Sequence, residues 1–217
     1  MALVDSALYN SLPSLEEANA EREAQNLDKL IQGQIRDVFI KYGAQKAFTL
    51  YLQHGHHQLR DNEAIVKVQG TAHLMDGQQM NDIERVGNKL VPTTWMGNTL
   101  VPMEFAVVPT SVSTPTFAPG FIAELADILT SNGCNGLFGI DTLNQNDWTE
   151  LSIGNASVVV PSNGNEREDS YIPVAIAFDE KNSGFRVHGK CGKDHKHTSK
   201  PVTPKPVTPK PATRICT

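Results

Sequence analysis

Cysteine is scarce in this chain: three in 217 residues, Cys134, Cys191 and Cys216, odd in number and far apart. Such spacing excludes a disulfide framework and a Cys-x-x-Cys redox site. No apolar run approaches the roughly 18 residues of a membrane span. Met1 to Asn19 lacks a basic start and a long apolar block, and it carries Asp5, Glu16 and Glu17. It reads as a poor secretory signal, so a cytoplasmic location is the expectation. There is no His-Glu-x-x-His, no Gly-x-Ser-x-Gly elbow and no glycine-rich phosphate loop. Zincin chemistry, a hydrolase serine and a nucleotide cofactor are therefore not expected.

A formal net charge of -5 and a pI near 5.8 give no general attraction to nucleic acid or to an anionic membrane. The charge is unevenly spread. Residues 181–217 carry nine Lys or Arg against Asp194 alone. Within that end, Pro201 to Lys210 is Pro-Val-Thr-Pro-Lys written twice, which cannot bury a core. The expected organisation is a flexible N-terminus over 1–13, one domain over 14–198 and a disordered proline-rich tail over 199–217. The tail is a candidate contact for a protein partner.

Leu12-Pro13-Ser14-Leu15-Glu16-Glu17 reads as a helix start, with Ser14 as cap and Glu17 three places on. Leu27, Leu30, Ile31, Ile35, Val38, Phe39 and Tyr42 continue one apolar stripe, and Gly43 stops it. A second helix begins near Pro119, buries Phe121, Leu125, Ile128 and Leu129, and ends at Gly133. The period falls to two at Phe48, Leu50 and Leu52, a strand running into histidines. A second strand spans Ala64 to Met75. Two more surround the turn at Gly97-Asn98, and others are expected at 137–140, 156–160, 171–178 and 184–188. This order predicts an α+β fold: a single domain with a mainly antiparallel sheet and two principal helices.

Three of seven histidines fall within Leu52-Gln53-His54-Gly55-His56-His57-Gln58-Leu59. In an extended chain His54 and His56 project to one side, and neutral imidazoles suit zinc, copper, iron and nickel. Two ligands do not complete a catalytic site, which takes three from the protein and leaves a place for water. His73, His188, His195 and His197 are the histidine candidates for the third, and Cys191 and Asp194 offer a thiolate and a carboxylate nearby. We assign the metal to His54, His56 and His188, and proton transfer to His57 and His73. Zinc is the first choice of ion, then copper or iron. A metal-free acid–base site using Glu63, Glu84 or Glu104 is the competing chemistry.

The stretch from Lys41-Tyr42-Gly43 through His54, His56 and Leu59 resembles a group of uncharacterised filamentous-fungal proteins. Their pattern leads from a Tyr-Gly helix end through a leucine-rich strand into His-x-His. Phe121 to Leu125, Leu137 to Ile140 and the Cys/His-bearing end at 188–197 are similar as well, while His57 stands where that group has an aromatic. The resemblance implies a fungal intracellular protein with both histidine clusters in one domain, and it implies no activity. The functional expectation is a metal-dependent lyase or isomerase acting on a small organic molecule. The alternative is a non-catalytic protein-interaction module with a basic, proline-rich tail.

Overall fold

A computed structural model describes residues 5–153, 156–162, 170–181 and 184–193. His195, His197 and the proline-rich tail lie outside the described residues. Ten strands follow in chain order: β1 Phe48–Leu52, β2 Ala64–Val68, β3 Thr71–Met75, β4 Asn88–Met96, β5 Pro102–Pro109, β6 Phe138–Thr142, β7 Trp148–Ile153, β8 Ala156–Pro161, β9 Tyr171–Phe178 and β10 Phe185–Gly192. They close into a barrel in the order β1-β6-β4-β5-β2-β3-β8-β7-β10-β9, with β9 returning to β1. The β2–β5 and β7–β10 pairs are parallel and the rest antiparallel.

A closed mixed barrel overturns the expected mainly antiparallel sheet with two principal helices. Closure depends on partners far apart in sequence, which local alternation does not specify. The expected strand from Ala64 to Met75 is in fact the β2–β3 hairpin. Its turn is Gln69-Gly70, both at positive φ (50° and 81°), as a two-residue hairpin of primed type requires.

Helices are short and lie outside the barrel: α1 Ser6–Asn10, α2 Leu15–Ala24, α3 Asp28–Leu30, a π-helical turn Ile31–Ile35, α4 Arg36–Lys41, α5 Gly77–Arg85 and α6 Phe121–Ser131. The Ser14–Glu17 capping box starts α2. The single long helix expected beyond it is broken twice, at Asn26 with φ 51° and at Gly33, whose φ/ψ of -99°/-105° are not helical. Where a flexible N-terminus was expected, α1 buries Tyr9 completely. Among the described residues no helix is long and apolar enough to cross a membrane.

Both faces of β1 are buried, for different reasons. Phe48, Leu50 and Leu52 join Ile31, Ile35, Phe39, Phe121 and Leu125 in one apolar cluster under the helices. Phe39 meets Phe121 edge to face, with centroids 5.0 Å apart. Each such buried side chain contributes about 1.5–3 kcal/mol. Thr49 and Tyr51, on the opposite face, are equally enclosed because that side turns into the barrel.

Gly139 in β6 has no room for a side chain. A Cβ there would collide with the Trp95 carbonyl on β4 and with the Gln53 amide. Gly139→Ala is expected to lose about 1–3 kcal/mol of stability, read as a lower urea midpoint. An unchanged midpoint would mean that β4 and β6 can spread at no cost.

Candidate metal centre

His54 and His56 lie just past the end of β1, in a loop whose backbone donors are taken up by neighbouring chain. The Gln53 N–H donates to the Leu137 carbonyl at 2.9 Å, and the Gly55 N–H to Pro13 at 2.9 Å. The His56 N–H donates to the Tyr9 hydroxyl at 3.1 Å. Asn10 clamps Leu59 from both sides, its Oδ1 accepting from the Leu59 N–H and its Nδ2 donating to the Leu59 carbonyl, each at 2.8 Å. The N-terminal segment thus fixes the course of the histidine loop.

Inside, one ligand atom each from His54, His56 and Cys191 lies within 4.8 Å of the others, and all three residues are buried. Together they form a group able to hold a metal ion. The imidazole centroids are 4.5 Å apart. His54 Nδ1 donates to the Leu52 carbonyl at 2.8 Å, so Nε2 carries its lone pair. His56 Nε2 faces Glu150 at 3.7 Å, Glu104 at 3.9 Å and the Tyr51 hydroxyl at 3.4 Å. Cys191 reaches the group because β10 runs parallel beside β7, pairing Cys191 with Glu150.

The surroundings are ionic. Glu104, Asp141 and Glu150 are each at least 96% buried. The nearby ammonium is Lys67, whose Nζ lies 2.8 Å from Glu104 Oε2. Burial opposes the charge on Lys67, but Glu104, Asp141 and Glu150 outweigh it and raise its pKa above the usual range. Burial would likewise raise Glu104, yet Lys67 and then His56 bring it down to about 2. Asp141 goes the other way: burial pushes it up to about 6 against the pull of Lys67, and Glu104 adds to the rise. The Cys191 thiol is pushed up by burial and then by Glu150 and Glu104. A bound metal ion reverses that preference by stabilising the thiolate.

The other assigned residues sit elsewhere. His188 does not join His54 and His56: it occupies a bulge in β10, and its Nδ1 lies 2.9 Å from Asp147 Oδ1. Cys191 takes the third place in that group instead. His73 is exposed on β3, and His57 is half-buried in the loop outside the three-residue group. Of the three carboxylates weighed, Glu104 stands by His56, whereas Glu63 accepts from the Arg60 N–H and Glu84 is exposed. Lys67, Asp141 and Glu150 were missed. Their signal is a lone charge inside an apolar strand, as in Phe138-Gly139-Ile140-Asp141 and Trp148-Thr149-Glu150-Leu151. Compared with known proteins, the chain matches no family model, no curated protein and no solved structure.

Proposed function

We propose that this protein is a metal-dependent enzyme of lyase or isomerase type that acts on a small organic molecule. One observation supports the reading: two imidazoles and a thiol converge in a barrel interior where three buried carboxylates outnumber one ammonium. Such an interior favours a further positive charge. Zinc is the first choice, since three protein donors leave a fourth position for water or substrate, and copper and iron follow. Tetrahedral zinc sets its donor atoms about 3.3–3.8 Å apart, so the three side chains close in slightly on the ion.

A divalent ion held there supplies a Lewis acid for a substrate oxygen. Glu104 and Glu150 beside His56 Nε2 orient that imidazole, as carboxylates commonly do for metal-bound histidine. Asp141, titrating near 6, moves the proton in place of His57 and His73, which are not at the site. The interaction-module alternative has less support. Among the described residues the exposed large apolar side chains are Leu74, Val86 and Val112, too few for a binding patch.

Untagged protein is expected to hold close to one equivalent of zinc, copper or iron by elemental analysis. His54→Ala and Cys191→Ser, shown to be folded by circular dichroism, should lose it. Parent protein that retains no metal after exposure to these ions and dialysis would sink the reading, as would equal retention in both variants.

A further inference from the structure

We propose that a second feature of the barrel, the cavity beside Lys67, Asp141 and Trp148, binds a small uncharged carbonyl compound. This names the substrate class for the reading above, but it stands on the cavity rather than on the metal donors. The cavity measures about 210 Å³, and its lining includes Lys67, Gln69, Thr93, Asp141, Asn144 and Trp148. Drug-sized ligands occupy roughly 300–1,000 Å³, so this space suits a molecule of few heavy atoms.

Hydrogen-bond chemistry narrows the class. Trp148 is 4% exposed, and its indole N–H has no hydrogen-bond acceptor among the described residues. Thr93 also lines the cavity, and its buried hydroxyl has no partner among the described residues. Lys67 carries three N–H donors and spends one on Glu104. Buried donors of this kind call for an acceptor, and a carbonyl oxygen with two lone pairs accepts two of them at once.

Charge narrows it further. Glu104, Glu150 and Asp141 already exceed the one ammonium, so a carboxylate ligand adds repulsion. A divalent cation on His54, His56 and the Cys191 thiolate still leaves one negative charge over, so an uncharged ligand remains preferred. Lys67 serves as a donor and not as an imine-forming amine, because its carboxylate neighbours keep it protonated.

Position ties the cavity to the metal centre. Trp148 and Glu150 are two apart on β7 and so share the inward face, about 6.6 Å from one another along the strand. Trp148 borders the cavity while Glu150 faces His56. A ligand between Lys67 and Trp148 therefore lies along the barrel interior from the metal donors, next to Asp141.

The test uses the full chain and three probes of one shape: cyclohexanone, cyclohexanecarboxylate and cyclohexylamine. Binding is followed by saturation-transfer NMR and by tryptophan emission. Cyclohexanone is expected to bind at least about tenfold more tightly than either charged probe. Trp148→Phe, which removes the N–H and keeps an aromatic ring, should weaken it about fivefold. Asp141→Asn removes a buried charge without removing bulk, and it should narrow the preference for ketone over carboxylate.

No ketone binding, tighter carboxylate binding, or an unchanged preference in Asp141→Asn would overturn the proposal. So would full affinity in a folded Trp148→Phe protein. Chelator-treated protein separates the two readings. Retained ketone binding there supports the cavity whatever becomes of the metal, and binding lost with the metal places the ligand on the ion instead.

Discussion

Lys67→Met is expected to destabilise the protein by about 3–5 kcal/mol, the usual consequence of stripping one partner from a buried ion pair. Lys67 Nζ stands 2.8 Å from Glu104 Oε2, with side-chain exposures of 20% and 5%. Methionine fills the space but leaves Glu104 charged, enclosed and close to Asp141 and Glu150. The loss arises mainly from that abandoned carboxylate rather than from the attraction removed. Lys67→Met combined with Glu104→Gln should therefore recover most of it, since both charges then go together. Urea denaturation of the parent, both single variants and the double variant measures the coupling. A single-variant loss under about 1 kcal/mol would show Glu104 to be solvated or held by another group.

Asp141→Asn should do the opposite and stabilise the protein at neutral pH. The folded pKa of Asp141, about 6, lies above the roughly 3.9 of an unfolded aspartate. The folded state thus holds the proton more tightly. This group's favourable contribution is complete below pH about 4 and is lost as pH rises through about 6. At neutral pH a buried carboxylate remains, facing Lys67 and Glu104 and accepting from the Thr94 hydroxyl at 3.0 Å. Asparagine still accepts that hydrogen bond without the charge. A shift of about two units corresponds to roughly 2–3 kcal/mol, gained by the variant above pH about 6 and absent below about 4. Urea midpoints of both proteins across that range test it. A pH-independent difference would mean that Asp141 titrates as an ordinary aspartate.

Local features were legible in the sequence where local physics decides them. Ser14 with Glu17 marked a helix start, Phe121, Leu125 and Leu129 marked a buried helical face, and Phe48 to Leu52 marked a strand ending before His54. Asp76 and Gln79 form a similar capping box for α5, a helix absent from the expected order of elements. The candidate metal donors were half legible. His54 and His56 announce each other by spacing, but Cys191 joins them only through the parallel β7–β10 pairing, which no neighbouring residue encodes. His188 lies on the same strand as Cys191, but the bulge it occupies places it against Asp147. The polar residues of β1 show the other limit. Alternation in Thr49 and Tyr51 reads as a solvent face in an open sheet and becomes an interior face once the sheet closes.

The pairing of β1 with β9 has a temporal side. A chain emerging from the ribosome delivers His54 and His56 long before β10, the strand that bears Cys191, so the three side chains can meet only once β10 has been made. Early intermediates would expose unpaired strand edges for the whole of that interval, with long loops still to be closed. An ion that needs all three donors would bind the finished barrel and not its precursors.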